Sequence, residues 1–164
     1  MSITIMKQIK FCAGHRLVDH GGKCENLHGH NYTAQIFVTG TETDSIGRVV
    51  DFSVIKRLFK TWIDDHWDHA MVLWDKDTTA IKAIQSVEPN RLHLLPFNPT
   101  AENMARFLLE QVSPELLSEI PEYKVQVTKV IIWETETACA EVTLDTSPAN
   151  EHVTANAWKQ DASV

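Results

Sequence analysis

Hydrophobic and polar residues alternate along two early stretches of the chain. Over residues 3–12, Ile3, Ile5, Ile9 and Phe11 fall on one face, and Thr4, Gln8 and Lys10 on the other. Residues 31–39 repeat the pattern, with Tyr32, Ala34, Ile36 and Val38 against Thr33, Gln35 and Thr39. A period of two marks a half-buried strand, and the two stretches are expected to pair antiparallel. Gly40 to Gly47 reads as a polar turn, and residues 48–52 as a short extended piece. The period then changes. Val54, Ile55, Leu58, Phe59, Trp62 and Ile63 recur at helical spacing and form one wide apolar stripe, the kind that packs on a sheet. Asp51 or Ser53 can cap this helix, which is expected to end near residues 64–69.

Residues 70–90 show no clean period and read as a mixed, partly polar segment. Residues 92–97 suggest a short strand. Thr100, after Pro99, caps a second helix whose apolar side is Met104, Phe107, Leu108, Leu109 and Val112. Pro114 and Pro121 bracket a connection. Residues 123–134 form the longest expected strand, followed by a turn and a returning strand over 138–144. From residue 145 to 164 the chain is polar and aperiodic and reads as a loose tail. Two strands, a helix, a break, a helix and two strands predict one α+β domain over residues 1–144.

Composition narrows the function classes. The 164 residues are 43% hydrophobic and 23% charged, ordinary for a globular protein, with a formal net charge of −7. An acidic chain argues against a nucleic-acid or anionic-membrane partner, since phosphate binding calls for a basic surface. No apolar run approaches the roughly 18–20 residues that span a membrane. The first residues lack a signal-peptide layout. Three cysteines, an odd number, make no disulfide framework and suit a reducing cytoplasm. Cys12 and Cys139 sit within strand patterns and are expected to be buried and inert.

The chemistry gathers around Cys24-Glu25-Asn26-Leu27-His28-Gly29-His30-Asn31-Tyr32. On an extended segment His28 and His30 point the same way, and Gly29 lets the backbone lie close to whatever they hold. Two parallel imidazoles are half of a zinc site. His15, at the end of the first strand, is the natural third ligand once the strands pair, although taken alone it reads more readily as an exposed strand-end histidine. Three histidines with an open fourth position make a catalytic zinc pattern. Cys24 has two readings, a fourth ligand closing a structural site or a nucleophile or base beside an open metal. Asp68-His69 is a carboxylate next to an imidazole and can relay protons, with Asp65-His66 competing for that role. Glu134 ends an apolar strand. Its carboxylate can accept the paired donors of a guanidine-like ring edge, as in guanine or pterin.

Taken in order, these pieces resemble the 6-pyruvoyl-tetrahydropterin synthase / 6-carboxytetrahydropterin synthase family. The matching stretches are Phe11-Cys12-Ala13-Gly14-His15-Arg16-Leu17, the Cys24 to Tyr32 segment, Gly47-Arg48-Val49-Val50-Asp51-Phe52, Asp68-His69, Pro99-Thr100-Ala101-Glu102-Asn103 and Trp133-Glu134-Thr135. The resemblance implies a tunnelling fold, an antiparallel four-stranded sheet with two helices on one face, assembled as a hexamer of two trimers. It implies zinc on His15, His28 and His30, Cys24 as the proton-abstracting base, and Asp68 and His69 as its relay. Glu134, helped by Thr100 and Thr135, would anchor the pterin ring. The expected activity converts 7,8-dihydroneopterin triphosphate to 6-carboxy-5,6,7,8-tetrahydropterin on the way to queuosine, with 6-pyruvoyl-tetrahydropterin as the alternative product. The four-residue step from Cys24 to His28 resembles the bacterial carboxy branch. A non-catalytic zinc-stabilised module is the alternative of another class. Residues 75–93 read as an insertion.

Overall fold

Strand β1 (Ile3–His15) pairs antiparallel with strand β2 (His28–Gly40) in an unbroken register from Ile3 opposite Gly40 to His15 opposite His28. In the computed structural model, which describes residues 1–144, these two strands are the spine of the molecule. The stretch 145–164, read as a tail, lies outside the described residues. The alternation does what it predicts. Ile9, Phe11, Ala13, Tyr32, Ala34, Ile36 and Val38 are buried on one face, while Gln8, Lys10, Cys12 and Asn31 are exposed on the other. Strand β5 (Val125–Trp133) adds to β2, and strand β6 (Cys139–Thr143) to β5, both antiparallel. β1 and β2 have 13 residues each and β5 has 9, so the longest strands are the first two.

Helix α1 (Phe52–His66) starts where Asp51 accepts the N–H of Ser53 at 2.7 Å, and it buries Ile55, Leu58, Phe59 and Ile63 against the sheet core. Residues 48–51 before it form bends rather than a strand, with Val49 and Val50 turned into the core. Helix α3 (Ala101–Phe107) runs on through a π-helical turn (Leu108–Val112) into helix α4 (Ser113–Leu117). Thr100 caps α3 by accepting the N–H of Asn103 at 3.2 Å.

The four-stranded antiparallel sheet with two helices is corrected by the segment read as mixed and insertion-like. Strand β3 (Ala70–Trp74) pairs parallel with β1, helix α2 (Thr78–Gln85) crosses over, and strand β4 (Leu92–Leu95) pairs parallel with β3. The sheet therefore has six strands in the order β4-β3-β1-β2-β5-β6 and is mixed. Parallel neighbours need a crossover, here α2. The short apolar run Ala70-Met71-Val72-Leu73-Trp74 faces cover on both sides and so shows no alternation to read. β3 meets β1 only over Ala13–His15, which sets the new strands against the end of β1 that carries His15.

Candidate metal centre and active site

The register places His15 directly opposite His28, and Ala13 opposite His30. All three imidazoles lie on the buried face, where the parity of Tyr32, His30 and His28 puts them. Their ligand nitrogens lie within 4.8 Å of one another. The pairing tolerates no side chain at position 29, because a Cβ on Gly29 would lie 2.8 Å from the carbonyl oxygen of Ala13. His15 Nδ1 donates to the carbonyl of Pro99 at 2.8 Å, and His28 Nδ1 to that of Asn26 at 2.7 Å. A carbonyl can only accept, so in the neutral rings both Nε2 atoms carry lone pairs, and these face each other at 3.1 Å. His30 Nε2 is buried and has no hydrogen-bond partner among the described residues. Three convergent imidazole nitrogens with free lone pairs fit a zinc ion. Desolvation lowers the pKa of His15, assisted by His28 and His30 and opposed by its bond to Pro99 and by Glu134. The ring is thereby held neutral, the state a ligand needs.

Cys24 lies in a 3-10 turn (Lys23–Glu25) whose carbonyl accepts the N–H of Leu17 at 2.9 Å, tying it to the chain just beyond His15. The Cys24 side chain is half-buried and in no disulfide. The Tyr32 hydroxyl sits 3.3 Å from both ring nitrogens of His15. Asp68 and His69 lie between α1 and β3. Asp68 Oδ1 accepts the backbone N–H of Cys12 at 2.8 Å, and its Oδ2 pairs with His69 Nδ1 at 2.9 Å. Burial alone would raise the Asp68 carboxyl, but the bonds from Cys12 and His69 outweigh it and hold the pKa below the usual value. The His69 side chain is 75% exposed. A cavity of about 700 Å³ is lined by His28, His30 and His69 together. Among the described residues no hydrogen bond or ion pair joins Cys24 to Asp68 or His69. His66, the competitor, instead bonds the carbonyl of Trp62 and stacks on that indole.

Glu134 stands at the histidine cluster, its Oε1 3.6 Å from His15 Nε2 and 3.8 Å from His30 Nε2. Thr100 is close by in sequence to the Pro99 carbonyl that orients His15, but its oxygen is engaged in the cap of α3. Thr135 lines a different hollow on the open sheet face, with Lys10, Thr33, Gln35 and Trp133. Cys12 and Cys139, expected to be buried, are both exposed. Cys12 falls on the polar parity of β1, its thiol donating to Asn31 Oδ1 at 3.0 Å, and Cys139 opens the edge strand β6.

The family model for 6-pyruvoyl tetrahydropterin synthase matches residues 4–145. The chain belongs to the 6-pyruvoyl tetrahydropterin synthase family. Within that family it is 38% identical over 140 residues to the 6-carboxy-5,6,7,8-tetrahydropterin synthase of Rickettsia bellii, covering 85% of this chain and 99% of that protein. It is 30% identical to the protein of the same name from Haemophilus influenzae, over 84% of this chain and 96% of the relative. Among solved structures, an uncharacterized protein from Wolinella succinogenes superposes with a TM-score of 0.70 at 23% identity, covering 88% of this chain and 99% of the other. The 6-pyruvoyl tetrahydropterin synthase of Plasmodium vivax superposes at 0.66 with 21% identity, over 87% and 97%. These likenesses establish the fold.

Three residues that touch the histidine cluster do so in ways not read from the sequence. Asn26 and Pro99 act through backbone carbonyls, which leave no side-chain signal. Tyr32 could have been found, because it shares the parity of His28 and His30.

Proposed function

We propose that this chain is a zinc-dependent 6-carboxy-5,6,7,8-tetrahydropterin synthase. It takes 7,8-dihydroneopterin triphosphate and one water to 6-carboxytetrahydropterin, with release of acetaldehyde and triphosphate, in a cytoplasmic route to queuosine and related deazapurines. The observation that carries this reading is the convergence of the His15, His28 and His30 nitrogens within 4.8 Å at the paired ends of β1 and β2. The 38% identity to a relative named for this activity selects the reaction.

Zinc, when bound, supplies a Lewis acid for the hydroxyls of the substrate side chain. His15, His28 and His30 hold it, with Pro99 and Asn26 fixing two of the rings through Nδ1. Cys24, as thiolate, takes a proton from the substrate side chain. Asp68 stays ionised and keeps the Nδ1 proton of His69 engaged, which leaves His69 Nε2 free to exchange a proton with substrate. Glu134, with Thr100 and Thr135 assisting, is assigned to the donor edge of the pterin.

Residues 1–144 act as one domain, and six copies assemble as two trimers with active sites between subunits. Two observations support an intersubunit site. Cys24 and the Asp68–His69 pair share no bond within the chain. Residues 3–11 of β1 also leave their outer edge without a partner strand among the described residues, because β3 covers only Ala13–His15 and the Asp68–His69 turn takes Cys12. A monomeric mass at micromolar concentration, with full activity, would refute the assembly.

A second reading, formation of 6-pyruvoyl-tetrahydropterin, keeps the same site and is supported by the description of the family model that matches residues 4–145. Incubation of pure zinc-loaded protein with 7,8-dihydroneopterin triphosphate decides. Acetaldehyde with 6-carboxytetrahydropterin is expected; 6-pyruvoyl-tetrahydropterin would replace this reading with the second.

A further inference from the structure

The segment from Asp75 to His93 looks like an insertion in the sequence, yet it grips the rest of the molecule at two functional places. Asp77, 5% exposed, accepts Arg16 Nε at 2.6 Å while capping α2 through Ala80. Arg16 directly follows His15. At the other end of the segment, Arg91 holds both sides of the turn that carries Asp68 and His69. Its Nη2 donates to the carbonyls of Asp64 and Asp65, at 2.6 and 3.0 Å, in the last turn of α1. Its own carbonyl accepts the N–H of Met71 at 2.8 Å. The carbonyls of a helix's last turn have no partner in the helix and carry its negative dipole end, so a guanidinium there is doubly favourable.

Between these two anchor points the backbone does something costly. His69 has φ 57°, in the left-handed region that non-glycine residues rarely occupy. Such a conformation persists only where the surroundings over-determine it. On one side Cys12 does so, by donating its N–H to Asp68 Oδ1 and accepting the N–H of His69 at 2.7 Å. On the other side the only side chain that bonds the end of α1 from the inserted segment is Arg91, among the described residues.

We propose that Arg91 is a positioning residue for proton transfer: it clamps the end of α1 and the start of β3, and so holds the His69 imidazole in the orientation set by Asp68. This rests on the reading of Asp68–His69 as the proton-transfer pair. Arg91 also lines the cavity shared by His28, His30 and His69; the role assigned to it runs through the backbone on either side of that pair, and a rise in KM with unmoved His69 signals would mark a substrate contact instead. The inserted segment is thereby part of the working site, and its removal would release the pair.

The test uses the full-length, zinc-loaded protein with Arg91→Gln and Arg91→Lys. Three quantities are read: zinc content, the ¹⁵N signals of the His69 ring, and kcat and KM across pH. In Arg91→Gln the zinc content should match the parent. The His69 ring signals should move from one tautomer toward a mixture, and kcat should fall by about tenfold to a hundredfold with KM within about twofold, as for a misplaced reacting group. The pH profile should shift with it. Arg91→Lys, which keeps the charge and a donor, should lie between the two, and it carries the same readouts if the glutamine variant does not fold. Unchanged His69 signals in both variants overturn the proposal, as does a loss of kcat matched by an equal loss of zinc or folded protein. If the parent shows no turnover but Arg91→Gln still moves the His69 signals, the clamp stands and the assigned reaction falls.

Discussion

His15 and His28 point their Nε2 atoms at each other across 3.1 Å, and in the neutral rings neither atom carries a proton. Each ring has already committed its Nδ1–H to a backbone carbonyl. Two lone pairs held this close repel unless a cation lies against both. Ligands about 2.0–2.1 Å from a tetrahedral zinc are separated from one another by roughly 3.3 Å, so the pair already has close to the spacing of one tetrahedral edge. The orphaned Nε2 of His30 supplies the third corner.

We therefore predict one zinc per chain on His15, His28 and His30. His28→Ala should bind metal far below one equivalent under conditions that saturate the parent, and metal analysis after gel filtration reads this directly. Full zinc retention in that variant would remove the assignment.

Cys24 separates an enzyme from a zinc-stabilised module. The thiol is anchored beside the end of β1 through the bond of its carbonyl to Leu17, and the three imidazoles suffice to hold a metal without it. Cys24→Ala is expected to keep its zinc and its melting temperature while turnover falls by about 10²–10⁴-fold, the range for losing a positioned acid or base. Joint loss of metal and fold would instead make Cys24 a structural ligand.

The parts of this site that a sequence can show are those whose side chains obey a period. His28 and His30 declare a shared face by their spacing of two, and His15 joins them because strand pairing is implied by two alternating runs. Parallel strand β3 stayed hidden, since Ala70–Trp74 is covered on both sides and does not alternate. The placement of Glu134 beside the histidines follows from the β2–β5 register, in which Trp133 pairs with Thr33. Register across 100 residues of chain is set by the whole sheet and by the irregularity at Phe37/Val38. The same applies to Cys12, whose exposure follows from parity once the buried face is known.

Gly29 makes a further prediction about the metal site. A methyl group there would meet the backbone of Ala13 at 2.8 Å, and backbone cannot rotate away as a side chain can. Gly29→Ala must part β1 from β2 between the pairs His15–His28 and Ala13–His30. We expect a stability loss of about 1–3 kcal/mol, the usual cost of overpacking, and weaker zinc binding in a competition titration with a chromogenic chelator. An unaltered zinc affinity would show that the close strand contact does not serve the metal.

The last prediction concerns His93, away from the metal. Its ring is half-buried near Trp62 and Trp67, with His66 5.4 Å away, and its Nε2 has no hydrogen-bond partner among the described residues. Desolvation, aided by the neighbouring His66, pushes its pKa down from 6.5 to about 4. The folded state thus refuses a proton that the unfolded chain accepts below its ordinary value. Stability linked to this group is full above pH 6.5 and is lost as the pH falls toward 4. Linkage puts the loss at about 2 kcal/mol by pH 5. His93→Leu removes the titration while keeping an apolar filling. Chemical denaturation of both zinc-loaded proteins at pH 7.5 and pH 5 should show the stability difference between them moving by about 2 kcal/mol in favour of the leucine variant. Acid release of zinc is common to both proteins and cancels in that difference. An identical difference at the two pH values would mean that His93 takes its proton in the folded protein as readily as in the unfolded chain.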